Sequence, residues 1–400
     1  MLYNNTELKF TFFSDMPLGR DAAVLGESYR KGKNKMWSII IAVFVCIGIT
    51  VYIIFPPSFG NTKSFRDEHG FVLKGSISEK INIDINNASL GMFIMGKDTS
   101  KPILLFLGGG PGIPEYFLET QYPSGLENEF VVCYPEYRGT SLSYHSDIRA
   151  EMITTEQYIE DAVGVTNYLR DRFGQNKIYL IGHSFGTYIG ILTASRHPEL
   201  FHAYIAMSQI TDQKKSEKIA YGYMLEQYRL SKNSKMVNKL ENYPILRDDN
   251  AYKSYFNSSL RDTAMHNLGI GTMHNMNSVI TGIFFPSLHC TIYTPSERTN
   301  IWRGKSFSKT TPAAKDATHF NAFCEVPTLD IPIYFLAGIY DYTCCYSLQR
   351  EYFEQVQAPT KAFYTFSNSA HSPLFEEAEK ARLILREDVL TDNISHADTQ

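Results

Sequence analysis

Residues Lys177 to Gly190 read Lys-Ile-Tyr-Leu-Ile-Gly-His-Ser-Phe-Gly-Thr-Tyr-Ile-Gly, and they leave the chain little freedom in how it folds. Ile178 to Ile181 is apolar at every position rather than at alternate ones, the pattern of a strand buried on both faces of a parallel sheet. It runs directly into Gly182-x-Ser184-x-Gly186, and Thr187 to Arg196 behind it is helix-like. Strand, sharp turn, helix is the context that makes Gly-x-Ser-x-Gly a nucleophile elbow. The serine backbone there is strained, and a side chain at either flanking glycine would collide with the neighbouring strand or helix. The competing reading is a plain Gly/Ser turn before a helix. The rest of the chain decides between them.

The surrounding pattern repeats the same unit. Ile103 to Leu107, Phe130 to Tyr134 and His202 to Met207 are short apolar strands, and Thr155 to Phe173 is a helix with Thr155 as its cap. Alternating strands and helices predict an α/β domain with a parallel sheet covered on both faces. Ahead of it, Ile81, Ile83 and Ile85 alternate with polar residues, Asn86-Asn87 can turn the chain, and Leu90 to Met95 is apolar again, as paired leading-edge strands require. The rhythm breaks from Thr211 to about Pro327, where a charged, helix-like stretch is followed by a Tyr/Asn/Met-rich region. This is a helical cap inserted into the sheet domain. Strands resume at Ile331 to Ala337 and Lys361 to Phe366, with a helix around Ser347 to Gln355 between them and a last helix at Pro373 to Arg386. The expected organisation is a tail over 1–35, a transmembrane helix over 36–55, a linker over 56–75, a sheet core over 76–211 and 328–388, the cap over 212–327, and a polar tail over 389–400.

Met36 to Phe55 carries no charge for twenty residues, about the length that crosses a bilayer. Arg30, Lys31, Lys33 and Lys35 immediately precede it, against only Lys63 and Arg66 within a similar distance behind it. The positive-inside rule then places the N-terminus in the cytoplasm and the domain outside, as a single-pass protein of the cell membrane. A cleaved signal peptide fits less well, because the run is long and Phe55-Pro56-Pro57 is a poor cleavage site. The net charge of −4 gives no basic footprint, so nucleic acid is not an expected partner. The six cysteines and eleven histidines have no zinc-ligand spacing, and no metal or cofactor is expected.

A serine hydroxyl needs a base, and the base needs an orienting acid. His371 follows the last strand in a polar loop, Ser367 to Pro373, and Asp341 follows the Ile331–Leu336 strand. The order Ser184…Asp341…His371 is the one this elbow requires, with each residue at the carboxyl end of a strand, where open α/β sheets place reactive groups. Asp330, a rival acid, precedes its strand and stands at the wrong end. Gly108-Gly109-Gly110-Pro111-Gly112 closes the Ile103–Leu107 strand. Its N–H groups, most readily that of Gly110 or Gly109, join the N–H of Phe185 as expected oxyanion donors.

From about residue 76 to 388 the chain resembles an α/β-hydrolase, with the eight-stranded, mostly parallel sheet that this implies. Gly-Gly-Gly-Pro-Gly at 108–112 resembles the His-Gly-Gly-Pro-Gly loop of the proline iminopeptidase (prolyl aminopeptidase) family. Glu136-Tyr137-Arg138-Gly139-Thr140-Ser141-Leu142-Ser143 is similar to its Asp-Gln-Arg-Gly-x-Gly-x-Ser segment. The resemblance implies Ser184 as nucleophile, Asp341 and His371 as its partners, and Gly110 with Phe185 as oxyanion donors. It also implies a cap whose glutamates bind a peptide N-terminus. Glu217 and Glu226 on the first cap helix are the candidates, with Gly109 as a further substrate contact. Three departures stand out: Gly108 replaces the leading histidine, Glu-Tyr-Arg replaces Asp-Gln-Arg, and the elbow is Gly-His-Ser-Phe-Gly rather than Gly-Gly-Ser-Trp-Gly. They remove no catalytic group but weigh against proline specificity. The implied function is a membrane-anchored serine hydrolase releasing N-terminal residues from short peptides. A carboxylesterase or amidase on the same fold and a non-catalytic binding protein are the alternatives.

Overall fold

The computed structural model describes residues 21–399, so most of the expected tail over 1–35 lies outside the described residues. The chain divides after Phe55 into two units. The first contains helix α1 (Asp21–Ile54). Its span Gly32–Thr50 has a mean hydropathy of 1.5 and none of it is buried, so it is long and apolar enough to cross a membrane. Pro56-Pro57 follows directly, and a helix cannot run into a proline pair.

The second unit opens with a segment expected to be a linker. It is instead laid down on the domain: Thr62 Oγ1 donates to Ser78 O at 2.9 Å, Ser78 Oγ donates to Lys63 O at 2.8 Å, and Phe65 packs on the core. Strands β1 (Ile77–Ile85) and β2 (Ala88–Gly96) then form a hairpin in which Ile85 faces Ala88. The two intervening residues, Asn86 and Asn87, have φ of 50° and 60°. Two-residue hairpin loops need positive φ at both positions, and asparagine tolerates it.

The core continues through β3 (Ile103–Leu107), α2 (Glu115–Gln121), β4 (Val131–Pro135), α3 (Thr155–Phe173), β5 (Ile178–His183), α4 (Phe185–Arg196) and β6 (Phe201–Met207). The N-cap of α3 is Thr154, whose hydroxyl accepts from Gln157 N, and not Thr155 as expected. The cap follows as α5 (Gln213–Leu230), α6 (Ser234–Glu241), α7 (Ala251–Phe256), α8 (Ser259–Asn267), α9 (Phe285–His289), α10 (Pro295–Ser308), α11 (Pro312–Ala317) and α12 (Ala322–Glu325). Then come β7 (Ile333–Gly338), α13 (Tyr346–Gln355), β8 (Lys361–Phe366), α14 (Pro373–Glu376) and α15 (Ala378–Glu387). The single expected last helix is broken at Glu377, whose backbone at φ −129°, ψ 56° is not helical.

The eight strands lie in the order β1-β2-β4-β3-β5-β6-β7-β8. The β1–β2 and β2–β4 pairs are antiparallel, and the other pairs are parallel. Burial explains the all-apolar strands. Ile103, Leu105 and Leu107 join one core cluster, while Leu104 and Phe106 join the other. Ile333 and Phe335 separate from Tyr334 and Leu336 in the same way. Successive side chains point to opposite faces, both faces are covered, and so every position must be apolar.

The cap is built in two ways. Tyr221, Met224, Leu225 and Tyr228 of α5 pack with Leu240 of α6, Tyr255 of α7 and Met265 of α8 in a core of their own. Ile283, Tyr293 and Ile301 instead join one sheet-face cluster, and Ala313, Ala317 and Phe320 join the other. The later half of the cap is thus continuous with the sheet domain.

Candidate active site

Ser184 stands between the last residue of β5 and the first of α4, with φ 53° and ψ −118°. A non-glycine residue at positive φ is strained, and it is held here because the chain must reverse within one residue. The flanking glycines are required by contact. A Cβ on Gly182 would lie 2.5 Å from Gly186 O, and one on Gly186 would run into Leu107 O. Ser184 N donates to Met207 O at 3.1 Å, tying the turn to the end of β6, and its side chain makes no capping bond to α4.

Asp341 lies three residues beyond β7 and His371 five beyond β8, so all three polar groups stand at the carboxyl end of the sheet. Asp341 is fully buried. One carboxylate oxygen accepts from the N–H groups of Thr343 and Cys344, each at 2.9 Å, and the other accepts from Gln349 Nε2 at 3.2 Å. His371 Nδ1 lies 3.0 Å from Asp341 Oδ2 and 3.1 Å from Oδ1. A buried carboxylate so fully bonded cannot turn, so it holds the imidazole facing it. Gly338 lets the two loops meet, because any Cβ there would strike the carbonyls of Ser369 and Ala370. The His371 carbonyl accepts from His183 Nε2 at 2.8 Å and from Ser208 Oγ at 2.9 Å. This couples the histidine loop to the residue just before Ser184.

His183 is a letter of the elbow to which the sequence reading gave no role. It is 3% exposed, and its Nδ1 is 2.7 Å from Glu115 Oε1. Burial alone would keep the ring neutral, but the Glu115 carboxylate, joined by the His371 carbonyl and the Asp341 charge, raises the pKa above its ordinary value. Nε2 faces a carbonyl, which only accepts, so that nitrogen carries a proton. The other Glu115 oxygen accepts from Gly109 N at 3.1 Å. One buried glutamate therefore links glycine loop, elbow and histidine loop. A charged residue opening the apolar stretch Tyr116-Phe117-Leu118 was the only trace of it in the sequence.

The glycine loop is held by one bond at each of its first four residues. Tyr137 Oη donates to Gly108 O at 3.0 Å, Gly109 N is bound by Glu115, Lys305 Nζ donates to Gly110 O at 3.1 Å, and Ser308 Oγ donates to Pro111 O at 2.8 Å. The N–H of Gly110 takes part in none of these bonds. Gly109 lies close enough to the elbow that a Cβ on it would be 3.3 Å from Ser184 Cβ. Its N–H, however, is engaged by Glu115, which corrects its reading as a substrate contact through that group. Phe185 opens α4, so its N–H has no carbonyl one turn back to bind.

The two cap glutamates part company. Glu217 is fully buried, with Arg261 Nε at 2.8 Å from one oxygen, Arg261 Nη2 on the other, and Gln213 Nε2 at 3.0 Å. Its charge is answered inside the cap, which corrects its reading as an ammonium anchor. Glu226 is exposed on α5, and its charge acts on the phenols of Tyr223 and Tyr342. Those rings stack at 4.2 Å, and Tyr342 directly follows Asp341.

Comparison with known proteins gives a consistent picture. A family model described as the alpha/beta hydrolase fold matches residues 102–378. "Probable aminopeptidase YbaC" of Bacillus subtilis (strain 168) is 30% identical over 307 residues, covering 76% of this chain and 94% of that protein. The crystal structure of a proline iminopeptidase from Mycobacterium smegmatis superposes with a TM-score of 0.57 at 12% identity, covering 78% of this chain and 98% of the other. A malate-bound esterase from Thermogutta terrifontis superposes with a TM-score of 0.51 at 16% identity, with the same coverage. Peptidase and esterase share this architecture, and at such identities the likeness is one of fold alone.

Proposed function

The chain belongs to the α/β-hydrolase fold family, and from that premise we propose that it is a membrane-anchored serine hydrolase of the aminopeptidase kind, releasing N-terminal residues from short peptides. The observation that carries the reading is the buried Asp341–His371 pair at 3.0 Å, set at the same end of the sheet as a strained Ser184. Asp341 holds the Nδ1 edge of His371, which leaves Nε2 to take the proton of Ser184. The serine oxygen attacks the scissile carbonyl, and the oxygen that becomes negative meets the N–H groups of Gly110 and Phe185. His371 then protonates the departing amine, leaving an acyl-serine. Water, deprotonated by the same histidine, attacks that ester, and the serine takes its proton back. The Bacillus relative's name supports a peptide substrate. The basic residues Arg30, Lys31, Lys33 and Lys35 of α1, just ahead of its apolar run, support an anchor with the hydrolase outside the cytoplasm.

One observation favours a second reading, a carboxylesterase or amidase. The fully buried carboxylate of the cap, Glu217, is neutralised by Arg261 and offers nothing to a substrate amine. A panel of aminoacyl-naphthylamides and short- and long-chain nitrophenyl esters on the full chain separates the two. Faster turnover of the aminoacyl amides is expected, and turnover of esters alone would replace the peptidase by the esterase.

A further inference from the structure

We infer that Lys305, carried by cap helix α10, is a positioning residue for the oxyanion-forming glycine loop and sets a positive charge beside the oxygen that becomes negative. The inference rests on the serine hydrolase reading and adds a residue that neither the sequence motifs nor the resemblance contains.

The loop cannot hold its own shape. Gly110 and Gly112 have φ of 115° and 94°, where glycine is nearly free and side chains are strained. Tyr137 and Glu115 fix Gly108 and Gly109 from the core side, but the next two carbonyls, those of Gly110 and Pro111, are bound among the described residues only by Lys305 and Ser308, both on α10. The helix rests directly on this region. A Cβ on Gly304 would lie 2.6 Å from Thr140 Cα, and one on Gly112 would lie 3.2 Å from Lys305 Cα. Gly110 therefore receives its orientation from the cap, through one ammonium group.

That ammonium is placed unusually for a lysine. Such side chains ordinarily extend their charge into water, yet Lys305 is half-buried and turns Nζ onto a main-chain carbonyl. The charged groups that face it are Lys309, just past the end of its own helix, and Asp262 and Arg261 on α8. Burial, with Lys309 adding to it, pushes the amine down to about 8. The positive charge is complete well below that pH and lost above it. A fixed cation at the edge of the oxyanion site stabilises negative charge that exists only during reaction, so its effect falls on the chemical step rather than on binding.

The test measures fluorophosphonate labelling of the full chain, resolved into kinact and KI, for wild type, Lys305→Met, Lys305→Arg and Ser308→Ala between pH 6.5 and 9.5. We expect Lys305→Met to lower kinact by about 10- to 100-fold with KI within about threefold, somewhat less than the loss of a direct oxyanion donor. Lys305→Arg should restore most of kinact and move the alkaline fall of the wild type, near pH 8, beyond the range measured, because guanidinium does not titrate there. Ser308→Ala should lower kinact by a few fold. A folded Lys305→Met protein that keeps both the wild-type kinact and the same alkaline fall would overturn the assignment of Lys305 alone. Wild type that fails to label at any pH would overturn the hydrolase reading and this inference together.

Discussion

The carboxyl end of the sheet and the cap converge on Ser184, but they are built from different materials. At the sheet end, Asp341 and His371 sit on short loops held close to the backbone: two main-chain N–H groups grip Asp341, and the His371 carbonyl accepts from the short, buried side chains of His183 and Ser208. The cap reaches the same place through one long side chain, Lys305 onto Gly110, and its first half is tied together by another, Arg261 onto Glu217. Main-chain bonds at strand ends survive substitution of nearby side chains, whereas a contact made by one flexible side chain disappears with it. The chemistry is therefore expected to depend on the sheet end and, within the cap, on Lys305 alone, while the stability of the cap's first half depends on its own buried charged side chains.

Replacing Ser184 should break one side of this contrast completely. Ser184→Ala removes the nucleophile, and loss of such a group costs about a million-fold in kcat. Fluorophosphonate labelling should vanish, while the thermal midpoint stays within about 2 °C of wild type, because the hydroxyl makes no capping bond and a surface-accessible change of this size is small. Persistent labelling would remove Ser184 from the mechanism.

Arg261→Met probes the other side. Glu217 would be left fully buried without its cation, and breaking a buried pair from one side costs about 3–5 kcal/mol. A midpoint lower by roughly 4–7 °C is expected for a unit of this length, with labelling of Ser184 retained once the protein is folded. If labelling disappears from a folded variant, the first half of the cap is part of the catalytic apparatus and the contrast drawn above fails.

The two regions also differ in how far they could be read beforehand. The strands that carry Ser184, Asp341 and His371 announce themselves as all-apolar runs because both faces of the sheet are covered, and Asn86-Asn87 announces its hairpin because few residues accept two positive φ values in succession. The cap gives no such periodic signal. The partner of Glu217 lies 44 residues further along the chain, and nothing local marks the two as a pair. Lys305 looks like any surface lysine on a helix until α10 is seen resting on the glycine loop. The broken last helix was hidden for a related reason. Glu376 and Glu377 turn their carboxylates back to the N–H groups of Ala370 and Asn368, on the loop that carries His371, so a tertiary demand overrides a helical sequence. Glu115 and His183 were hidden because a buried ion pair has no period at all.

The smallest expected effect concerns Glu226, and it decides whether the cap selects for an amine. With Glu217 neutralised, Glu226 is the remaining candidate on α5, exposed and acting on Tyr223 and Tyr342 beside the Asp341 loop. Burial, with the Tyr223, Cys345 and Glu226 charges adding to it, raises Tyr342 to about 12, so this phenol stays neutral in any ordinary assay and leaves Glu226 as the negative charge acting there. An exposed carboxylate attracts an ammonium weakly through water, so Glu226→Gln should raise KM for an aminoacyl-naphthylamide by about two- to fivefold and leave kcat unchanged. A neutral nitrophenyl ester should show no change in either constant. The amide effect should also fade as salt is raised, since exposed charges are screened within about 10 Å at 0.1 M. Equal KM values for wild type and variant at low salt would make Glu226 part of a solvated helix face, and the amine selectivity of a peptidase would then have to arise from main-chain carbonyls or the aromatic wall rather than from a cap carboxylate.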